Sequence, residues 1–404
     1  MQKILSSLIL TTIFICLFVT NSFSYDDYSF VWSDNSDYSI ATSADISVDL
    51  KLESGSAILI EQNSGKILYE HNPHEQLRPA SVTKVMSILL IMEALDSGSI
   101  SLDDKVPCSE NASKMGGSQI WLDVREELTV DEMLKAICIV SANDCTVAMA
   151  EYLAGSEEAF VEKMNARAKE LGMNDTCFKN CHGLDTDGHV TSSYDISLMS
   201  RELLKNHPSI TKYTTTWMDT LRDGKSQLTN TNKLIRNYKG ATGLKTGSTG
   251  LALYNLSASA TRDNLSLIAV IMKAPSTSVR FAEAQKLLDY GFSNYSYIQF
   301  AEKDMSLTSV YVNKGVKNTV DAIYAQDSGY LIKKGLSKNV EQVINIEESI
   351  NAPIYKGQKL GEISYVLDNE VLGKTDIIAS EDIKKVNLSS MSEHTFFCWF
   401  KVLR

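Results

Sequence analysis

Ser81 and Lys84 stand three residues apart at the head of an apolar run, "PASVTKVMSILLIMEAL" over residues 79–95. On a helix this spacing puts a hydroxyl and an amine on one face. From Val85 to Met92 the run is apolar on almost every side, as a helix in the middle of a protein is. A lysine desolvated by such neighbours loses proton affinity and can act as a base. It could then take the proton of the serine hydroxyl, which is otherwise a poor nucleophile. In the first turn the helix dipole favours the negative charge that develops there. Taken alone, S-x-x-K is a weak signal, and an isolated match is better read as a capping serine followed by a lysine whose head reaches water.

Two further clusters change its weight. Ser141-Ala142-Asn143 falls in a tight loop between two apolar helical stretches. A hydroxyl there can relay protons, and an amide can orient the lysine and a substrate carbonyl; the alternative is ordinary loop and cap use. Lys245-Thr246-Gly247 lies on an expected strand, just before Ser248. A lysine and a hydroxyl at a strand edge can hold a carboxylate, and a glycine lets a substrate backbone come close. The order S-x-x-K, S-x-N, K-T-G, at intervals of 60 and 104 residues, suits one domain that folds the three together.

The elements that must position them can be read from pattern. "GSAILI" and "KILYE" flank "EQNSG" and form a hairpin with a glycine turn. Helices are expected at 81–95, near 130–140 and at 144–154, with capping-box spacing at Thr129 and Glu132 and a stop at Gly155. Further helices are expected at 156–172, at 194–206 and at 279–292, the last ending before Gly291. Residues 244–248, 251–260 and 265–273 read as strands. After about residue 300 short alternating segments such as "TSVYV", "QVINI" and "GEISYVL" dominate, an all-β texture. The fold class is therefore α+β: an antiparallel sheet with helices on its faces, followed by a C-terminal all-β domain.

The 404 residues exceed one ordinary core and suggest two domains. A net charge of -11 argues against a nucleic-acid partner. The start, "MQKILSSLILTTIFICLFVTNSFS", has the three parts of a secretory signal, with Lys3 first, an apolar stretch next, and Ser22 and Ser24 flanking a cut before Tyr25. Ile15 before Cys16 is too large for a lipoprotein cut. The expected division is a signal peptide over 1–24, a Ser-, Asp- and Tyr-rich spacer over 25–45, the catalytic domain over 46–297, the all-β domain over 298–388 and a tail over 389–404. In that tail Phe396, Phe397, Trp399 and Phe400 mix with Lys401 and Arg404, which suits a membrane surface or docking on the β domain. Cys138 and Cys145 read as core, and Cys177 and Cys181 as paired or free. No CxxC occurs, and His71-x-x-His74 reads as surface loop, so neither metal nor cofactor is expected.

The three clusters together resemble the penicillin-recognising serine enzymes, which pair SxxK with KTG. "LRPASVTKVMSILL", "IVSANDCTVAMAEYLAG", "CHGLDTDGHVTSSYDISLMSREL" and "GLKTGSTG" are similar to the D-alanyl-D-alanine carboxypeptidases, the low-molecular-weight penicillin-binding proteins, and "NAPIYKGQKLGEISYVLDNEVLG" to their C-terminal domain. The resemblance implies that Ser81 attacks the penultimate D-Ala carbonyl of a peptidoglycan stem and forms an acyl-enzyme, with Lys84 as base and Ser141 and Asn143 in proton transfer and positioning. It further implies that Lys245 and Thr246 bind the terminal carboxylate, with Gly247 in the substrate-binding strand, that the Ser81 and Ser248 amides form the oxyanion hole, and that β-lactams acylate Ser81. Arg280 would stand near the carboxylate; as a residue it reads equally as the surface of a helix. Alanine stands at 142 where many relatives have glycine, and Ser248 where some have histidine. His182 and Asp195 read as structural. The rivals are a β-lactamase, which needs a glutamate for which no motif stands between Asn143 and Lys245, and a wall-binding protein without catalysis.

Overall fold

The computed structural model describes residues 49–387. The expected signal peptide, the spacer and the aromatic tail lie outside the described residues. Five strands make the central sheet: β1 (Ser56–Glu61), β2 (Ile67–His71), β3 (Ala241–Thr249), β4 (Leu253–Arg262) and β5 (Leu265–Ala274). Their order is β2-β1-β5-β4-β3, antiparallel throughout. Ile58 and Ile60 face one core, and Ala57 and Leu59 face another on the opposite side. "AILI" lacks polar alternation because the sheet is covered on both faces.

The larger core holds α1 (Lys84–Asp96), α2 (Val130–Lys135), α3 (Asn143–Ala154), α4 (Glu157–Glu170) and α5 (Ser193–Asn206). Helix α1 packs against α3, α4 and α5, and Lys84 to Leu89 are buried without a break. That enclosure accounts for its near-uniform apolar surface. The other core is closed by α6 (Thr277–Asn294), which lays Leu287, Leu288 and Phe292 on the sheet.

Local signals operate as read. Thr129 and Glu132 form the reciprocal capping box at the start of α2, and Gly155 ends α3 at φ 84°. The structure corrects three boundaries. The stretch 130–140 is not one α-helix: α2 stops at Lys135 and widens into a π turn, Ala136–Val140, which leaves Ser141 left-handed at φ 66°. Helix α6 does not end before Gly291 but runs through it. A Cβ at 291 would lie 2.5 Å from Leu267 Cδ1 and 3.1 Å from Leu59 Cδ2, so this glycine serves close helix–sheet packing rather than termination. Ser81 belongs not to α1 itself but to a 3₁₀ turn, Ala80–Thr83, that leads into it.

Beyond α6 the described residues form strands, apart from one 3₁₀ turn at Ser337–Asn339. β6 (Tyr295–Ala301) pairs with β9 (Ser328–Lys333). β7 (Ser306–Asn313), β8 (Thr319–Tyr324), β10 (Glu341–Ile346), β11 (Ser349–Asn351), β12 (Lys359–Leu367) and β13 (Glu370–Ala379) form a six-stranded sheet in the order β10-β12-β13-β8-β7-β11. Its own core includes Val310, Val320, Ile363, Tyr365 and Ile377. The α+β class with a C-terminal all-β region is thus the observed one.

Cys138 and Cys145 are buried, and Cys177 and Cys181 are both free thiols. His71 ends β2 rather than lying in a loop, while exposed His74 meets Asp175 at 2.7 Å.

Candidate active site

The 3₁₀ turn that carries Ser81 is gripped from two sides. From the sheet, Gly247 of β3 presses on it: a Cβ there would lie 2.9 Å from Pro79 O and from the Ser81 and Val82 amides. From the loop after α4, Gly183 sits at φ 92°, and a Cβ would lie 1.9 Å from Ala80 O. No side chain larger than hydrogen fits either place without moving backbone. The approach is tied as well: buried Asn255 donates from Nδ2 to Arg78 O at 2.8 Å. Ala80 is held at φ 48°, a sparsely populated region for a residue with a Cβ.

Lys84 opens α1, fully buried, and its Nζ has three partners. It donates to Ser81 Oγ at 3.1 Å, to Asn143 Oδ1 at 2.5 Å and to the His182 carbonyl at 2.7 Å. Burial pushes its pKa well below the usual lysine range, and the charge of Lys245 lowers it further. The amide and carbonyl oxygens can only accept, so they fix two N–H bonds in either protonation state. The third direction points at Ser81. An ammonium donates along it; a neutral amine presents a lone pair there and accepts the hydroxyl proton.

Asn143 is held in turn. Its Nδ2 donates to Gly116 O at 2.7 Å, and its backbone N–H donates to Ser118 O at 2.7 Å. Next to it, the buried Asp144 carboxylate accepts from the Ile120 and Leu122 amides, which anchors the same loop. Ser141 is 4% exposed, and among the described residues its Oγ has no hydrogen-bond partner. A buried, unpaired hydroxyl costs stability unless something else uses it.

Lys245 and Thr246 lie on β3, 1% and 6% exposed, with Ser248 exposed just beyond. Burial lowers Lys245 to about 7, and the Arg280 charge adds to the fall. Thr246 Oγ1 donates to Thr231 Oγ1 at 2.8 Å. Arg280 is not a surface residue of its helix. It is 6% exposed, and Nη1 donates to Gly247 O and Asn255 O, both at 3.2 Å, beneath the strand that carries the K-T-G cluster. Hydrogen bonds tie Ser81, Lys84 and Asn143 into one network, and β3 brings Gly247 against that network's serine turn. Arg280 reaches Gly247 through backbone.

Sequence reasoning missed the His182 carbonyl. The His182 ring itself is structural: burial, then the Lys84 charge, lowers it to about 3, so it is neutral and accepts from the Leu184 amide at 3.1 Å. A backbone oxygen leaves no residue-type signal, although Gly183 beside it marks the close approach.

A serine hydroxyl shared with a buried lysine, on an α+β scaffold and beside a K-T-G strand, defines a serine hydrolase of the acyl-transfer kind. Residues 41–276 match the D-alanyl-D-alanine carboxypeptidase family, and residues 295–385 match the penicillin-binding protein 5 C-terminal domain. The chain is 47% identical to D-alanyl-D-alanine carboxypeptidase DacF of Bacillus subtilis, over 87% of this chain and 92% of that protein. It is 32% identical to DacC of Escherichia coli, over 81% and 84%. Penicillin-binding protein 5 from Haemophilus influenzae superposes with TM-score 0.70 at 30% identity, covering 84% of this chain and 99% of that one. Penicillin-binding protein D2 from Listeria monocytogenes, solved with ampicillin bound, gives 0.56 at 30%, covering 61% and 100%. The chain belongs to the D-alanyl-D-alanine carboxypeptidase family of serine peptidases.

The contact of Gly247 with the serine turn can be tested. Gly247→Ala pushes β3 away from the Ser81 amide. D-Ala release should fall about a hundredfold, the size of effect typical of losing one hydrogen-bond donor to a reacting oxygen, and the urea unfolding midpoint should fall as well, because the Cβ meets backbone atoms at 2.9 Å. Near-normal turnover would show that the close approach has no catalytic use.

Proposed function

We propose that this enzyme cleaves the terminal D-Ala from peptidoglycan pentapeptide stems through an acyl-enzyme on Ser81. The observation that carries the assignment is the three-partner environment of the Lys84 amine. Neutral Lys84 takes the proton from Ser81 Oγ as the oxygen attacks the penultimate D-Ala carbonyl. The peptide C–N bond breaks, a proton passes to the departing D-Ala amine, and the acyl group stays on Ser81. Ser141, with its unengaged hydroxyl, is suited to that proton transfer, and Asn143 to holding Lys84 and the substrate amide. The Ser81 and Ser248 amides stabilise the oxyanion. Lys245 and Thr246 hold the terminal carboxylate, and Gly247 gives room for the substrate backbone. Arg280 supports this strand through Gly247 O rather than by direct contact. Water then releases the shortened stem. A penicillin enters by the same attack, in keeping with the ampicillin-bound relative.

Ser81→Ala should abolish D-Ala release, and intact-mass measurement after penicillin treatment should show one adduct on the wild type and none on the variant. A β-lactamase would turn penicillin over rapidly without accumulating the adduct. A wall-binding protein would form no adduct. Either result would overturn the carboxypeptidase assignment.

The two buried lysines set opposite pH limits on kcat/KM. Below its lowered pKa, Lys84 is protonated and cannot accept from Ser81, so activity falls with acid. Above about 7 free Lys245 loses its proton, and attraction for the carboxylate falls with base. The expected profile is a bell, and Lys245→Arg, whose charge persists, should lose the alkaline limb. An unaltered alkaline limb in that variant would assign it to another group.

A wall substrate requires export, and the N-terminal signal segment supports it. The aromatic and cationic tail supports attachment to the outer face of the cytoplasmic membrane. Mature protein should begin at Tyr25 by intact mass, and deletion of residues 393–404 should reduce binding to anionic liposomes. Retention of residues 1–24, or undiminished liposome binding, would overturn the respective reading.

A further inference from the structure

Between the second and third clusters runs Asn230-Thr231-Asn232, a segment given no role so far. Both asparagines are buried, at 5% and 1% exposure, and both side chains bond to backbone. Asn230 Nδ2 donates to Thr216 O at 2.8 Å, and its Oδ1 accepts from the Asn232 amide at 2.8 Å. Asn232 Nδ2 donates to Gly243 O on β3 at 3.0 Å, and its Oδ1 accepts from the Leu234 amide at 3.1 Å. Thr231 between them is exposed. Its own N–H donates to Ile139 O, in the π turn behind Ser141, at 3.0 Å. The clamp therefore fixes Thr231 against the turn that presents Ser141 and the strand that presents Thr246.

The Thr231 hydroxyl accepts from Thr246 Oγ1 at 2.8 Å. Thr246, nearly buried, thus points its only hydroxyl proton at Thr231. The proton left at the exposed end of this pair is that of Thr231. A carboxylate offers only acceptors, so a donor is what the pocket must show it. Accepting from Thr246 polarises the Thr231 O–H and makes it a better donor.

We infer that Thr231 is a further substrate-binding residue, whose hydroxyl donates to the terminal carboxylate of the stem peptide at the end of a Thr246–Thr231 hydrogen-bond chain. This rests on the assignment of β3 to carboxylate recognition. Thr246 then acts partly through Thr231, with Lys245 supplying the charge.

The test is Thr231→Val, which keeps the shape and removes the hydroxyl. For an acyl-D-Ala-D-Ala peptide, KM should rise about ten- to a hundredfold with kcat nearly unchanged, as loss of one hydrogen bond to a charged group implies. Thr231→Ser should restore the wild-type value. The rate of Ser81 acylation by a penicillin should fall by a similar factor, while acylation by its methyl ester, which lacks the carboxylate, should not change. A purely structural role would slow both reagents alike, and that result, or no change with either, would overturn the inference. Wild-type protein that forms no Ser81 adduct would remove the underlying assignment and this inference with it.

Discussion

The site depends on keeping one amine dry among neutral acceptors. Lys84 Nζ meets Ser81 Oγ, Asn143 Oδ1 and the His182 carbonyl, none of which carries charge. They satisfy its N–H bonds without offsetting the cost of burying an ammonium. A carboxylate in the place of either fixed acceptor would hold the proton on nitrogen, against the role proposed for Lys84. The largely apolar stretch of α1 from Val85 to Met92 is the means of this desolvation. It must lie between α3, α4 and α5 for Lys84 to be enclosed, and this requires a core of the size found here.

Placing the serine next to that amine is a separate constraint, met by backbone contact rather than side-chain packing. The 3₁₀ turn is wedged between Gly247 and Gly183, where no Cβ fits. The chain accepts positive φ at Ala80 and at Ser141, two non-glycine residues on either side of the reaction centre. Such conformations cost about 1–3 kcal/mol each and persist only where the surroundings over-determine them. Here the over-determination is visible. Asn255 holds Arg78 O, and the π turn closes with the Ala142 amide on Ala136 O at 3.2 Å. Positive φ also occurs at other non-glycine residues, such as Trp121, Arg222 and Leu253, but these two lie in the turns that present the serines; α2, α4 and α5 start at side-chain caps, whereas α1 and α3 do not.

These two constraints explain what was legible in the sequence. Burial writes itself into residue type, so α1, the two-faced strand β1 and the capped helix starts could be read, and so could the side chains in S-x-x-K, S-x-N and K-T-G. Backbone placement does not. The His182 carbonyl could belong to any residue. The π turn after Lys135 has a helical pattern until the chain must deliver Ser141. Gly291 has the composition of a helix stop, and only Leu267 and Leu59 reveal it as a packing gap. Arg280 falls on the surface by helical pattern, yet the sheet's backbone carbonyls draw it inward. Asn230 and Asn232 resemble loop residues until their side chains are seen to be buried in backbone hydrogen bonds.

The two buried lysines show why spacing alone does not assign roles. Both lose proton affinity by burial, yet the proposed acyl transfer needs one neutral and the other charged. Their surroundings separate them. Lys84 is surrounded by fixed oxygens that leave a single direction open to the serine, and it feels the charge of Lys245. Lys245 donates to Thr246 O at 3.1 Å and stays at about 7, where a modest attraction suffices to keep its proton. In the proposed mechanism an arriving carboxylate would supply that attraction and partly cancel the field that Lys245 exerts on Lys84. The proton affinity of Lys84 would then rise when a substrate with a free C-terminus is in place, which is when the proposed mechanism has it accept the proton of Ser81. On this electrostatic argument, specificity for a terminal carboxylate and activation of the nucleophile are one coupled event.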